Sequence, residues 1–257
     1  MTDAREPSDE VWMPLRLSTQ ARIGLGRAGD SLPSRRVLEF QTAHATARDA
    51  VHEPLDVGHL EARISALGVP QALVVTSQAS SRSEYLRRPD LGRRPADVGH
   101  LPATGADIAI VLADGLSPRA LTDHGPGLFK ALVDTLATDF TVGPPVIATQ
   151  ARVALGDHIG PALGAQTVIV VIGERPGLSV ANSLGIYLTH RPREGCTDAD
   201  RNCVSNIHPP DGLGYEAAAA VAAELVAGAH RLGRSGVALK DTSRERVTDG
   251  RARTIDP

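Results

Sequence analysis

Apolar residues recur with helical spacing near the start of the chain. Pro33-Ser34 is typical of a helix start, because proline is tolerated in the first helical turn. The residues that would form one face of this helix then recur at spacings of three and four: Val37, Phe40, His44, Ala47 and Val51. Glu53-Pro54 ends the pattern, since the residue before proline is pushed out of the helical region. We predict helix over residues 12–56, with His44 buried and hydrogen-bonded on that face, after a loose polar start at 1–11.

Along the rest of the chain, short apolar runs alternate with helical patterns. The predicted strands are residues 72–76, 107–112, 146–149, 167–172 and 184–188. The predicted helices are a short one carrying Leu60, Ile64 and Leu67, one opened by Ser117-Pro118 and interrupted at 125–127, one at 157–163 capped by Asp157, and one at 215–232. This alternation predicts a mostly parallel sheet covered on both faces. The expected fold is α/β, with a helical N-terminal arm followed by a Rossmann-like domain.

Composition shifts indicate three segments. Residues 78–105 are rich in Ser, Arg, Pro and Gly, which favours a domain boundary there. We therefore predict a helical N-terminal segment at 1–105 and a Rossmann-like domain at 106–239. Residues 240–257 alternate Arg with Asp, Glu and Thr, and we expect this tail to be disordered.

Charge and cysteine content exclude several classes of protein. The formal net charge of -3 gives no basic excess for nucleic acid. Two cysteines make no disulfide framework. The N-terminus lacks the apolar region of a signal peptide, and no apolar run approaches the roughly 20 residues that cross a bilayer. The expectation is a cytoplasmic protein that contacts neither nucleic acid nor membrane.

The strand ends are the places to look for a ligand, because parallel sheets bind ligands at their carboxyl edge. Gly173-Glu-Arg-Pro-Gly177 follows the strongest predicted strand, and its Pro and Gly form a rigid turn. Glu174 could accept hydrogen bonds from amide groups, and Arg175 could hold a carboxylate or phosphate. An ordinary Glu–Arg surface pair is the competing interpretation. With the loop at 114–117, this turn also allows a stand-alone phosphate- or nucleotide-binding module or enzyme.

Two other patterns are weaker. Gly24 to Gly29 matches G-x-G-x-x-G, but no apolar strand precedes it, so a tight turn between helices is the better interpretation. A zinc site could use four side chains, His190, Cys196, Cys203 and His208. Their spacing fits no common metal signature, so we expect no metal site and two free thiols.

Several longer segments carry a family resemblance. They are Ala21–Gly29, Glu39–Asp49, Tyr85–Arg94, Gly173–Leu178 and Asp200–His208. In this order they resemble the small (light) subunit of ethanolamine ammonia-lyase over roughly residues 12–238. The pairing of GERPGL with DRNCVSNIH is the most specific part of the resemblance.

The resemblance implies that the chain functions in a complex with a large subunit. Enzymes of this family use adenosylcobalamin to convert ethanolamine to acetaldehyde and ammonia by a radical mechanism. A large β/α-barrel subunit holds the substrate, and the small subunit covers part of the corrinoid. The present chain is then a non-catalytic, cofactor-binding subunit of a carbon–nitrogen lyase and contributes no catalytic residue.

The same resemblance implies which residues touch the cofactor. Val153, Glu174 and Cys203 match the cobalamin-contacting positions of the family. Asp157-His158 does not make the Asp-x-His-x-x-Gly arrangement of a lower axial histidine, which agrees with a corrinoid that keeps its own dimethylbenzimidazole on cobalt. Some relatives that enter a bacterial microcompartment carry an N-terminal extension. Only about eleven residues precede Trp12 here, so we expect a free cytoplasmic enzyme.

Overall fold

The computed structural model describes residues 9–240, which form a six-stranded sheet with seven α-helices around it. The strands are β1 Leu73–Thr76, β2 Ile108–Ala113, β3 Val146–Thr149, β4 Thr167–Gly173, β5 Leu184–His190 and β6 Asn202–Ile207. Their order across the sheet is β1-β3-β2-β4-β5-β6. The first four are parallel, and β5 and β6 are antiparallel to their neighbours. The predicted mixed α/β fold with a mostly parallel sheet is confirmed.

The helices and the two faces of the sheet account for the core. The helices are α1 Asp9–Leu17, α2 Ser34–His52, α3 Val57–Ser65, α4 Arg82–Arg87, α5 Pro118–Leu136, α6 Gly156–Leu163 and α7 Tyr215–Leu232. Strand β2 is buried along its whole length. Its Ile108, Ile110 and Leu112 pack with α3, α5 and α7, whereas Ala109, Val111 and Ala113 pack with α6. Helices therefore cover both faces, as the alternation of strands and helices predicts.

Helix α5 corrects the prediction of a break at residues 125–127. The helix continues through Pro126, although proline lacks the N–H that would bond the carbonyl of Thr122. Nη1 of Arg63 donates to that carbonyl instead. A Cβ at Gly127 would lie 2.5 Å from the ring of Tyr215, so the glycine permits the close approach of α7. A side chain 59 residues away in the sequence thus provides the hydrogen bond that the proline cannot give to this carbonyl.

The predicted helix over residues 12–56 is corrected in two ways. The chain leaves the helix between Leu17 and Ser34, and α1 and α2 are separate. The face predicted to be buried is largely exposed: Phe40 is 46% exposed, and His44 is exposed and stacks on it with ring centroids 6.5 Å apart. His44 is therefore not a core histidine. The face of α2 is apolar, but among residues 9–240 little packs against it.

The segment around α6 departs from the prediction as well. Asp157 does not cap the helix but lies in its first turn, where its carboxylate pairs with Arg201 at 2.6 and 2.7 Å. Arg201 lies just before β6, a strand that the sequence pattern did not indicate. This ion pair, with both side chains nearly fully buried, fixes the start of β6 against α6.

None of the helices in residues 9–240 is long and apolar enough to cross a bilayer. The tail predicted to be disordered, apart from Lys240, lies outside the described residues. The domain boundary at 78–105 stays a prediction, and this segment includes α4, whose Tyr85 is fully buried.

Candidate functional site

A pocket of about 450 Å³ opens at the carboxyl end of the parallel strands. The lining residues are Tyr85, Gly115, Leu116, Arg152, Val153, Ile172, Gly173, Glu174, Arg175 and Tyr187. Three of the chain segments that line it directly follow β2, β3 and β4. This is the edge at which parallel α/β sheets bind ligands.

Two glycines let the strand ends come together at this pocket. Gly115 follows β2 with a φ of 56°, and a Cβ there would lie 2.2 Å from the carbonyl oxygen of Gly173. A Cβ at Gly173 would lie 2.1 Å from the carbonyl oxygen of Ser117. Neither position accepts a larger residue without backbone movement, so these glycines bring the loop after β2 directly beside Glu174.

Glu174 is held by one of its two carboxylate oxygens. Its Oε2 accepts hydrogen bonds from the hydroxyl of Ser183 at 2.7 Å and from the backbone N–H of Asn206 at 3.2 Å. Within the described residues, the other oxygen, Oε1, accepts no hydrogen bond from the protein. A Cβ at Gly185 would come within 3.0 Å of Oε1, so the glycine keeps space for this oxygen. The carboxylate is therefore oriented by the protein and keeps one acceptor available.

Val153 and Arg152 line another part of the same pocket. Both lie at the end of the loop that follows β3, and Val153 is half-buried. The guanidinium of Arg152 stacks over the ring of Tyr85 at 4.5 Å, and its Nε is buried without a hydrogen-bond partner in the described chain. A buried donor without a partner costs free energy, and the side chain that carries this one lines the pocket.

Cys203 lies beside the pocket rather than in its lining. It pairs with Tyr187 across β5 and β6, and the two side chains hydrogen-bond. Cys203 is exposed, but desolvation by the surrounding protein raises the pKa of its thiol. Burial together with Cys203 raises the pKa of Tyr187 to about 12. Both groups therefore stay protonated at neutral pH, as neutral donors near Glu174. Val153 and Glu174 share one pocket, and Tyr187 connects Cys203 to it.

A larger pocket of about 590 Å³ separates the N-terminal helices from the loop at 177–182. Nη1 of Arg22 donates to the carbonyl of Leu178 at 3.0 Å, and the hydroxyl of Ser179 donates to the carbonyl of Gln20 at 3.0 Å. The loops that follow β2 and β3 do not line this pocket, whereas residues 177–182 of the loop after β4 and His208, which follows β6, do. It shows instead that the N-terminal segment touches the far end of the turn that carries Glu174.

The two weaker sequence patterns do not form sites. The loop from Gly24 to Gly29 follows α1 rather than a strand, and Arg16 donates to the carbonyls of Ile23 and Gly24. The four residues of the zinc alternative are not assembled either. His190 bonds Thr167, and His208 bonds Asn206. In residues 9–240, no group of three or more His, Cys, Asp or Glu side chains is arranged to hold a metal ion.

Sequence reasoning missed two residues of this region, Tyr85 and Tyr187, and marked Arg152 and Asp114 only as strand ends, without a role. Tyr85, Arg152, Tyr187 and Asp114 all lie in or next to the pocket, and none carries a local motif of its own. A usable signal existed for two of them: Arg152 follows a predicted strand end, and Asp114 ends the run of β2. For the tyrosines, only the tertiary structure shows the location.

Comparison with known proteins gives a consistent result. The profile of the family described as ethanolamine ammonia-lyase light chain (EutC) matches residues 9–240. The chain is 63% identical over 257 residues to the ethanolamine ammonia-lyase small subunit of Rhodococcus erythropolis, covering 100% of both chains. It is 46% identical to that of Ralstonia nicotianae, covering 95% of this chain and 94% of the relative. For the protein of that name in Xanthomonas campestris the identity is 47%, with 94% and 91% covered.

Proposed function

This chain belongs to the ethanolamine ammonia-lyase light-chain family, and we propose that it covers one edge of adenosylcobalamin while a large subunit holds ethanolamine. In this role it binds and orients the cofactor and carries none of the reacting groups. When bound, adenosylcobalamin supplies the radical that abstracts hydrogen from the substrate, and this chemistry is the cofactor's own. The products are acetaldehyde and ammonia.

The pocket at the strand ends fits the periphery of a corrinoid. A corrin macrocycle carries amide side chains around an apolar edge, so its site needs acceptors, donors and apolar contacts. Glu174 supplies the acceptor, Arg152 and Arg175 supply donors, and Val153 and Ile172 supply the apolar surface. The carboxylate of Glu174, oriented through Oε2 and with Oε1 left available, is the observation that most directly favours a polar ligand here. A pocket of about 450 Å³ is within the range for a drug-sized ligand, so it takes one edge of the larger cofactor.

The local geometry supports each proposed contact. Glu174 accepts from a corrin amide through Oε1, because Oε2 is already bonded to Ser183 and Asn206. Val153 packs against the macrocycle edge. Cys203 acts through Tyr187 or by direct contact at the rim as a small polarizable group. The Rossmann-like character of the domain is part of the same proposal, since it is the strand ends of that domain that form the pocket.

The N-terminal helices form the proposed contact with the large subunit. Large apolar side chains remain exposed there: Val11, Met13, Leu15, Leu17, Leu32, Val37, Leu38 and Phe40. Large apolar side chains left exposed and concentrated in one segment are typical of an interface with another protein. The segment also touches the Glu174 turn through Arg22 and Gln20, so docking and cofactor binding meet in one region. A cytoplasmic location stays a prediction from the sequence.

The direct test is reconstitution. The full chain alone is expected to produce no acetaldehyde from ethanolamine, with or without adenosylcobalamin. Co-expression with the large subunit is expected to give a complex that turns over when adenosylcobalamin is added. A complex that forms but shows neither cofactor uptake nor turnover would contradict the proposal, and so would turnover by this chain alone.

Substitution of Glu174 tests the site within that complex. Glu174→Ala is expected to weaken cobalamin binding by about 1–3 kcal/mol, because a buried polar partner loses its acceptor. Equilibrium titration monitored by the absorbance of the corrinoid measures the dissociation constant. Glu216→Ala is the matched control, since Glu216 is an exposed glutamate in the first turn of α7 and lines no part of the pocket. An unchanged dissociation constant for Glu174→Ala would remove this residue from the site.

A further inference from the structure

Asp114 is a buried carboxylate that does not line the pocket but binds the loop that does. It follows β2 at the centre of the sheet and is 1% exposed. Its Oδ2 accepts from the backbone N–H of Gln150 at 2.8 Å, and its Oδ1 accepts from that of Ala151 at 2.9 Å. Both donors immediately precede Arg152 and Val153. Each carboxylate oxygen therefore holds one peptide group of the loop that carries these pocket residues.

The loop conformation needs such support. Gln150 has a φ of 52°, in the left-handed region that residues with a side chain rarely adopt. A backbone of this kind persists only where the surroundings impose it. Asp114 supplies two hydrogen bonds at and directly after the strained residue. Tyr85 adds a third contact, since its hydroxyl donates to the carbonyl of Ala151 at 3.0 Å.

Arg82 connects this carboxylate to the N-terminal helices. Its Nη1 lies 3.5 Å from Oδ2 of Asp114 and donates to the carbonyl of Gly115 at 2.8 Å, while its Nε donates to the carbonyl of Val51 near the end of α2 at 2.7 Å. The guanidinium groups of Arg82 and Arg152 both contact the ring of Tyr85, at 4.9 and 4.5 Å from its centroid. One buried cluster thus spans from α2 to the Arg152 side of the pocket.

We propose that Asp114, with Arg82, is a positioning residue that imposes the conformation of the 150–153 loop and so sets the affinity of the assembled enzyme for its cofactor. The inference rests on the proposed function and deepens it. Asp114 touches neither cofactor nor substrate. It acts through the backbone of Gln150 and Ala151, which places the guanidinium of Arg152 and the side chain of Val153.

The chain contains a matched control on the same strand. Asp107 lies just before β2, at the opposite end of the sheet, and its carboxylate accepts from the backbone N–H and the hydroxyl of Thr141 at 2.9 and 2.7 Å. It therefore also ties a loop next to β3 to β2, but at the edge away from the pocket. A purely structural role for Asp114 predicts that Asp114→Asn and Asp107→Asn have equivalent effects on cofactor affinity.

The experiment compares these variants in the complex with the large subunit. In Asp114→Asn, the side-chain amide can accept only one of the two N–H groups and no longer balances Arg82. We expect the half-saturating concentration of adenosylcobalamin to rise about tenfold, with kcat at saturating cofactor within about twofold of wild type. Asp107→Asn is expected to lower the thermal midpoint only, with an unchanged half-saturating concentration. An equal cofactor affinity in the two variants would overturn the proposal.

A rescue experiment separates positioning from general destabilisation. Glycine adopts positive φ without steric cost, whereas alanine does not. Adding Gln150→Gly to Asp114→Asn is therefore expected to recover part of the lost cofactor affinity, and adding Gln150→Ala is not. Both substitutions remove the same buried side-chain carbonyl of Gln150, so the difference between them reports the backbone alone. The same affinity for the two double variants would overturn the proposal.

A second single variant covers the case in which Asp114→Asn does not assemble. Arg82→Lys keeps the positive charge beside Asp114 but cannot bond both Val51 and Gly115, and a rise of about threefold in half-saturating cofactor is expected. No rise would overturn the inference. The wild-type complex reports separately on the proposed function: without cofactor uptake there, that function fails. Normal wild-type uptake with unaffected Asp114→Asn and Arg82→Lys variants removes only the role of Asp114.

Discussion

Helices α2 and α5 are each 19 residues long, yet they bury their apolar residues to very different extents. In α5, nine residues are buried, and the helix packs on the sheet and on α7. In α2, Ala50 alone is buried among the described residues, while Val37, Leu38 and Phe40 face solvent. The two helices differ in where the partner surface lies. For α5 it is supplied by this chain, and for α2 we propose that the large subunit supplies it.

The largest change in stability is expected from the buried one of two phenylalanines in these helices. Phe129 in α5 is 1% exposed, whereas Phe40 in α2 is 46% exposed. Phe129→Ala is expected to lower the free energy of unfolding by about 3–5 kcal/mol, because it removes a buried ring and leaves a cavity. Denaturant unfolding of the full chain measures the change. A loss below about 1 kcal/mol would mean that α5 is not part of a packed core.

The next effect depends on pH and on Asp114. Burial raises the pKa of Asp114 from 3.8 to about 6, against its hydrogen bonds and Arg82. The folded chain therefore binds this proton more tightly than the unfolded chain. The resulting stabilisation is fully present below pH about 4 and is lost as the pH rises through about 6. It amounts to no more than about 3 kcal/mol.

The variant Asp114→Asn isolates the contribution of Asp114 protonation to the free energy of unfolding. The free energy of unfolding of wild type relative to the variant should decrease between pH about 4 and about 6, since the other titrating groups are common to both chains. Denaturant unfolding at several pH values measures it. A difference that stays flat or increases over this range would show that Asp114 keeps a normal or lowered pKa. The half-buried Glu39 of α2 is the opposite case, because its pKa is lowered by hydrogen bonds from Arg36 and Arg35.

The smallest effect on stability is expected in α2. Phe40→Ala should change the free energy of unfolding of the isolated chain by less than about 1 kcal/mol, since the side chain is already half in water. The same substitution should weaken binding to the large subunit by about tenfold, as truncation of an aromatic interface residue commonly does. Thr42→Ala, an exposed position on another face of α2, is the control. Unchanged affinity in Phe40→Ala would place the interface elsewhere.

Much of the fold could be predicted because the relevant signals are local. Helix α7 was predicted at its observed limits, and Ser117 caps α5 as expected, accepting from the N–H of Ala120. The predictions were wrong where a distant residue decides. Arg63 allows α5 to continue through Pro126, and Arg201 takes the carboxylate of Asp157 that was expected to cap α6. Strand β6 was missed because its polar residues resemble a loop until β5 pairs with it.

The candidate site shows the same division. Val153, Glu174 and Cys203 were named from a family resemblance, and their role in cofactor binding stays a prediction. That Val153 and Glu174 face one pocket could not be derived from their spacing. Tyr85 carries no local signal, and although Asp114 marks a strand end, its partners could not be derived because they lie 36 and 37 positions away.

By itself, the sequence determined the alternation of strands and helices, the parallel arrangement of most of the sheet, and the Pro/Gly turn that carries Glu174. These depend on hydrophobic periodicity and backbone preferences, which act over a few residues. Only the tertiary structure decided which buried polar groups meet and which apolar face stays uncovered. A buried charge or N–H must find its partner wherever the folded chain brings one, and the sequence distance to that partner is not constrained.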